Sequence, residues 1–212
     1  MPDAEKAGRT LVIDRKGIDM ANDHDDTPIL VVDFEFTTYA DTYGRPSGFF
    51  PESIEVGAVE LVPPDYATGR TYQEFVKPRF FPKLSDFCKQ LALIEQADVD
   101  GGIDAALMLE RLAELFDPGR TWLVAWGDSD YEVLATLCQK YKLSNPFPAE
   151  RYLDLAAAYR DHARHTYRTP LSIALAEHGI ERDGFAHTAM DDTLSTAELL
   201  RRMLASGWRM PA

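Results

Sequence analysis

The sequence predicts an α/β fold in which helices flank a mixed central sheet. Strand candidates at 29–32, 54–61 and 71–76 come first and are separated by turn-forming segments, which is typical of an antiparallel meander. The later part of the chain alternates short apolar runs with helical periodicity, which is typical of parallel strands connected by helices. Together these patterns predict an antiparallel meander followed by parallel strands.

The composition is that of an acidic globular protein. The chain has 212 residues and a formal net charge of −13, from 35 Asp plus Glu against 22 Lys plus Arg. Cys88 and Cys138 are too few and too far apart for a disulfide framework or a zinc ribbon. The acidity disfavours a protein that coats a nucleic-acid duplex, but it is compatible with an enzyme that binds a few phosphates in one cleft.

Three segments are expected along the chain. We predict a mobile polar leader over 1–27, a single ordered domain over 28–206 and a short tail over 207–212. The leader has neither a long apolar segment nor an Arg-rich amphipathic pattern, so it does not resemble a signal or transit peptide. No apolar run is long enough to span a membrane. We therefore predict a cytoplasmic protein without membrane association.

The first predicted strand carries the most informative residues. Its apolar run, 29–32, is typical of a strand buried on both faces and ends at Asp33 and Glu35. A loop rich in Gly, Pro and Ser over 38–51 follows, before the second strand. Later elements follow from apolar spacing and from capping residues such as Ser85. Helices are predicted near 87–93, 104–116, 131–141, 155–164, 170–178 and 191–204, and strands at 122–126 and 152–155.

Asp33 and Glu35 lie two positions apart, which places both carboxylates on one face of the strand. Adjacent buried anions are costly unless a cation compensates them, and Mg²⁺ or Mn²⁺ prefers carboxylate oxygen. Taken alone, the pair is better explained by a strand end that reaches solvent, because short motifs are weak signals.

A second acidic motif, Asp128-Ser129-Asp130, lies where a buried strand gives way to a helix. The carboxyl ends of strands are the usual place for active sites in α/β proteins. A helix N-cap formed by Asp128 or Ser129 explains the motif equally simply when it is taken alone.

The third motif opens the last predicted helix. His187 precedes Asp192 by five positions, with Asp191 beside it. An Asp N-cap and a surface histidine would account for this motif by itself.

The order of the three motifs is more specific than any one of them. The chain has Asp-x-Glu first, then an Asp after a later strand, then His-x4-Asp. This order resembles that of the DEDDh family of 3′→5′ exonucleases, which have the ribonuclease H-like fold. Further stretches resemble the branch of the histone-mRNA 3′ exonuclease and the KapD-type proteins. They are 32–37, 50–59, 82–88 and 126–130, with 187–192.

The resemblance implies a catalytic set. Asp33, Glu35, Asp130 and Asp192 would hold two divalent ions, Mg²⁺ or Mn²⁺, and His187 would act as general base. Asp128 is an alternative to Asp130, and the apolar Leu134 four positions after Asp130 favours Asp130. Asp191 is an alternative to Asp192, and the His-x4-Asp spacing favours Asp192. The product would be a nucleoside 5′-monophosphate.

The expected substrates are single-stranded nucleic acids with free 3′ ends, RNA more than DNA. The resemblance suggests that Phe36 and Thr37 contact the terminal nucleotide, although strand alternation places the Phe36 side chain opposite the acids. Arginines over 151–168 are interpreted as a solvated helix face, with a phosphate-binding rim as the alternative.

Two other functions are kept as alternatives. The chain could hydrolyse short oligonucleotides, which its acidity favours slightly. It could also be a catalytically silent ribonuclease H-like binding module, although the presence of all five catalytic residue types counts against this. The sequence makes no prediction of the oligomeric state.

Overall fold

A five-stranded sheet forms the centre of the protein. The structure is a computed structural model that describes residues 26–182, 184 and 186–211, so the predicted leader lies outside it up to residue 25. The sheet order is β3-β2-β1-β4-β5. The strands are β1 (Ile29–Phe36), β2 (Ser53–Val62), β3 (Ala67–Phe75), β4 (Trp122–Ala125) and β5 (Tyr152–Asp154). β1 to β3 are antiparallel, whereas β4 and β5 run parallel to β1. The predicted mixed sheet of an α/β fold is confirmed.

Helices cover both faces of the sheet. They are α1 (Asp86–Ala92), α2 (Gln96–Asp100), α3 (Ala105–Ala113), α4 (Ser129–Tyr141), α5 (Leu155–Ala163), α6 (Leu171–Glu177) and α7 (Ala189–Ala205), with a short 3-10 helix at Ala149–Arg151. No helix within the described residues is long and apolar enough to cross a membrane.

Helix α2, the short 3-10 helix and strand β3 differ from the sequence prediction. Helix α2 was not predicted, because its five residues are too few to show a helical period; Glu95 and Asp98 form a capping box at its start. Strand β3 begins at Ala67 rather than at 71. It is an edge strand with mostly exposed side chains, so its first half lacks the apolar alternation from which strands are predicted.

The alternation of β1 divides the interior into two cores. Even-numbered residues, from Leu30 to Phe34, pack in one core with α3 and α4. Odd-numbered residues Ile29 and Val31 pack in the other with α5, α6 and α7. Asp33 and Glu35 continue this second face toward the end of β1. The acidic pair therefore lies on the side of the sheet that α7 covers.

The start of α7 is fixed against β2 by a close backbone approach. A Cβ atom on Gly57 would lie 2.5 Å from the carbonyl oxygen of Ala189, closer than such atoms pack. Beside it, the buried Glu55 accepts a hydrogen bond from the backbone N–H of Ala189 at 3.1 Å, and Gln73 donates to the same carboxylate at 2.7 Å. Glycine at 57 thus lets the first turn of α7 reach the sheet.

We expect Gly57→Ala to displace the first turn of α7 and to lower the free energy of unfolding by about 1–3 kcal/mol, the usual cost of overpacking. Chemical denaturation measures this change. Gly44→Ala is the matched control, because a Cβ there meets nothing within 4 Å. Equal stability of the two variants would contradict the close-packing argument.

Candidate active site

Four acidic side chains from three elements converge beyond the end of β1. Asp33 and Glu35 come from β1 itself, Asp130 from the first turn of α4, and Asp192 from the first turn of α7. β1 and β4 are parallel, so the loop from β4 into α4 leaves the sheet at the edge where β1 ends. These acids are close enough for each of the other three to raise the pKa of Asp33.

Asp130 binds the backbone of β1 beyond the end of its pairing with β4. β4 pairs with β1 from Ile29 to Val31, which leaves the backbone of the next residues of β1 open to a side chain on that side. The Oδ1 atom of Asp130 accepts the backbone N–H of Phe34 at 3.1 Å. This hydrogen bond places a buried carboxylate beside Asp33.

Asp128 has a different environment. Its exposed carboxylate receives both terminal nitrogens of Arg168, at 2.9 and 3.0 Å. It occupies the N-cap position of α4, but its side chain makes no capping hydrogen bond. Of the two alternatives at this motif, the geometry favours Asp130 as the functional acid.

The loop before α7 brings His187 to the acids. Ring and carboxylate atoms of Glu35, His187 and Asp192 lie within 4.8 Å of one another. The backbone N–H of His187 donates to Asp192 Oδ2 at 3.2 Å. His187 is exposed and has a left-handed backbone with φ of 64°.

Asp191 shapes the same loop. Its Oδ2 atom accepts the Thr188 hydroxyl at 2.8 Å. The carboxylate also packs on Gly184, where an added Cβ would lie 2.3 Å from the same oxygen. The side chain of Asp191 is therefore directed at its own loop, whereas that of Asp192 is directed at Glu35 and His187.

Burial and mutual repulsion make three of the acids resist ionisation. Burial, followed by the charges of Asp192, Glu55 and Asp130, raises the pKa of Glu35 to about 8. Burial also raises the pKa of Asp130 to about 7. The pKa of Asp33 lies well above its ordinary value, first through burial and then through its acidic neighbours.

Glu55 is a site residue that the sequence did not single out. It lies directly opposite Glu35 in the β1–β2 ladder, although like charges in such positions repel. Its carboxylate is held by Gln73 and by the start of α7, as described above. The available signal was a charged residue within an apolar strand, facing the same side as Gly57.

The two residues predicted to touch the terminal nucleotide have contacts within the fold. The Phe36 ring lies 6.3 Å from that of Phe34, against the core opposite the acids. Thr37 is buried, and its hydroxyl accepts the backbone N–H of Glu52 at 2.9 Å. Their contact with substrate stays a prediction.

Three arginines of the 151–168 segment have partners within the fold. Arg168 pairs with Asp128 and Asp154, and Arg160 pairs with Asp161 at 2.7 Å. Arg151 donates to the carbonyl of Gly119. These contacts favour a structural surface over a phosphate-binding rim.

The donor set fits a divalent cation. The four acids offer hard oxygen ligands, and the pKa values of three of them are raised first by burial and then by the neighbouring acids. The fourth acid, Asp192, forms an ion pair with the Arg182 guanidinium, so a positively charged group already binds at this part of the site. Asp33, Glu35, Asp130 and Asp192 are the residues that would hold metal.

The fold and the clustered acids define a ribonuclease H-like nuclease of the DEDDh type. The exonuclease family (RNase_T) matches residues 30–200, so the chain belongs to that family. It is a 3′–5′ exonuclease, and membership implies dependence on a divalent metal.

The relatives agree with this family. The probable 3′-5′ exonuclease KapD of Bacillus subtilis is 34% identical over 173 residues, covering 82% of each chain. Mouse ERI1 exoribonuclease 2 is 33% identical over 86% of this chain but only 29% of the relative. The nuclease domain of 3′hExo, a DEDDh family member bound to rAMP, superposes with a TM-score of 0.77 at 28% identity, covering 88% of this chain and 96% of the other.

The acidic cluster predicts how stability depends on pH without metal. Because the pKa of Glu35 rises from 4.5 to about 8 in the folded protein, the folded state binds its proton more tightly than the unfolded state. Stability in a chelator should therefore fall as pH rises from 4.5 to about 8. Thermal unfolding across this range measures the slope.

A variant and added metal test the electrostatic origin of this pH dependence. Asp33→Asn removes one repelling charge, so it should flatten the slope and raise the unfolding temperature at pH 8 in chelator. Mg²⁺ or Mn²⁺ should stabilise the unmodified protein more than this variant. A metal-free protein that gains stability toward pH 8 would contradict the electrostatic account.

Proposed function

We propose that the protein removes nucleotides from the 3′ ends of single-stranded nucleic acid, RNA in preference to DNA, and releases nucleoside 5′-monophosphates. The convergence of Asp33, Glu35, Asp130 and Asp192 on one space beside the His187 ring carries this proposal. A cytoplasmic location remains part of it as a prediction.

The acids would hold two divalent ions, Mg²⁺ or Mn²⁺. Two such ions would stabilise the attacking and leaving oxygens of an in-line displacement at phosphorus. The buried Asp130 and the strand-borne Asp33 and Glu35 are fixed by secondary structure, which preorganises the ligands. Arg182 would give up its contact with Asp192 to make room for the cations.

His187 is suited to proton transfer. Imidazole is the side-chain group best suited to accept a proton near neutral pH, and the His187 ring borders the acids on an exposed loop. We assign it the proton of the attacking water. The water oxygen bonds to the terminal phosphorus, the bond to the 3′ oxygen of the penultimate nucleotide breaks, and that oxygen takes a proton from solvent.

Helix α1 supplies apolar surface close to the acids. The Ser85 hydroxyl donates to the carbonyl of Thr38 at 2.6 Å, and the Cys88 thiol contacts the carbonyl of Phe36, so the start of α1 is held at the end of β1. The helix exposes Phe87 and Leu91. We include these two side chains with Phe36 and Thr37 as candidates to contact the terminal nucleotide.

Asp130→Asn should abolish release of nucleotides, because it removes a charged ligand from the buried site. Asp128→Asn is the matched control, since Asp128 is exposed and pairs with Arg168, and it should retain activity. The assay is 3′ shortening of 5′-labelled single-stranded RNA and DNA with Mg²⁺ or Mn²⁺. Full activity of Asp130→Asn would overturn the site assignment, and faster shortening of DNA would overturn the RNA preference.

His187→Ala should lower kcat by about 10²–10⁴-fold, the usual contribution of a general base. Metal binding should change much less, because the four acids remain. Single-turnover kinetics and titration with Mn²⁺ separate the two effects. A variant with normal kcat would show that another group accepts the proton.

A further inference from the structure

A row of six aromatic rings lies at the edge of the sheet where β1 ends, five of them on loops and one at the end of α4. The rings are those of Tyr39, Phe49, Phe81, Phe50, Phe80 and Tyr141, in spatial order. Consecutive ring centroids are 5.0, 5.1, 5.4, 5.3 and 5.3 Å apart. We call this set, with the cations described next, the aromatic–basic surface.

Three cations lie over these rings. Arg45 covers Phe49 with its guanidinium carbon 5.7 Å from the ring centroid, and the Lys140 ammonium is 5.3 Å from that of Phe50. Arg79 lies 5.6 Å from the Phe80 ring and 5.9 Å from the Tyr141 ring. These cations lie beside partly exposed aromatic rings in a chain whose net charge is −13.

A buried carboxylate fixes one side of this surface. Glu52 is fully buried and accepts the backbone N–H groups of Arg79 at 2.8 Å, Phe80 at 3.0 Å and Phe81 at 2.6 Å. The Tyr141 hydroxyl donates to the same carboxylate. The Glu52 carboxylate is thus occupied by partners inside the fold, and these hydrogen bonds attach the loop that carries Phe80 and Phe81 to the start of β2.

The surface is continuous with the active-site end of the sheet. Phe36 pairs with Ser53 at the last rung of β1 and β2, and the backbone N–H of Thr37 donates to the carbonyl of Glu52 at 2.9 Å. Tyr39 therefore follows Glu35 by four positions on the chain that leaves β1, and Phe50 lies a few positions before the start of β2, which pairs with β1. A strand whose 3′ end lies at the acids has this surface within reach of its next nucleotides.

We propose that the aromatic–basic surface binds the nucleotides on the 5′ side of the scissile end, by base stacking on its rings and phosphate contacts to the cations. Accessible aromatic rings with interleaved cations are how proteins bind single strands without reading their sequence. The proposal rests on the proposed exonuclease function. It implies that the protein prefers long single strands over short oligonucleotides, despite its acidity.

The experiment compares two substrates on the full chain with Mg²⁺. One is the dinucleotide UpU, which is too short to reach the surface, and the other is a 5′-labelled 12-nucleotide oligo(U). The measured quantity is kcat/KM for the first cleavage, at several salt concentrations. The variants are Phe80→Ala, Arg79→Ala and Lys140→Ala, all at exposed positions. Ile173→Ala and Arg120→Ala are the matched controls, exposed residues that lie outside the surface.

Phe80→Ala should lower kcat/KM on the 12-mer by about tenfold, within the range for removal of one stacked base, and leave that on UpU within about twofold. Arg79→Ala and Lys140→Ala should each make kcat/KM on the 12-mer less dependent on salt. The slope of log kcat/KM against log salt concentration should become shallower by about 0.7 for each phosphate that the variant no longer binds. The control variants should match the unmodified protein on both substrates.

Three results would overturn the proposal. Unchanged 12-mer kinetics in all three variants would remove the surface from binding. Equal losses on UpU and the 12-mer would assign the effect to disturbance of the active site. If Phe80→Ala does not fold, the two cation variants still decide the outcome. An unmodified protein that cleaves neither substrate would refute the proposed function itself, and this inference with it.

Discussion

The site depends on bringing four carboxylates into one small, largely buried space. Asp33, Glu35 and Asp130 are each more costly to ionise, first because they are buried and then because of neighbouring acids, Asp192 among them; Glu55 lies opposite Glu35 and adds to this repulsion. The rest of the fold supplies the stabilisation that tolerates this repulsion. Two apolar cores hold β1 on both faces, and hydrogen bonds to backbone N–H groups of β1 and α7 fix Asp130 and Glu55.

Neighbouring acids in this chain have separate roles, and environment rather than sequence distinguishes them. Asp128 and Asp130 are two positions apart, yet one is exposed on Arg168 and the other is buried under the end of β1. Asp191 and Asp192 are adjacent, yet one is directed at its own loop and the other at the cluster. Helical geometry separates the two members of each pair, because successive side chains point about 100° apart around the helix axis.

Buried acids have two uses near the end of β1. At the catalytic edge they lack sufficient counter-charge, and a divalent cation would supply it. Glu52, in contrast, accepts hydrogen bonds from three backbone N–H groups and a tyrosine hydroxyl. The first arrangement suits cation binding, and the second stabilises a loop that carries aromatic rings toward solvent.

From the sequence alone, the sheet class and most elements could be predicted to within a few residues, and the family resemblance of its motifs supplied the five residues proposed for catalysis. This was possible because β1 is an apolar run that ends abruptly in Asp33 and Glu35, and because the three acidic motifs have a specific order and spacing. Local patterns could not reveal Glu55, Glu52 or the row of aromatic rings. Their partners are distant in sequence: Ala189 lies 134 positions from Glu55, and Tyr141 lies 89 from Glu52. Only tertiary structure decided which acids are buried, which loops meet at the edge of the sheet, and where positive charge gathers on an acidic protein, since each depends on chain segments that meet only after folding.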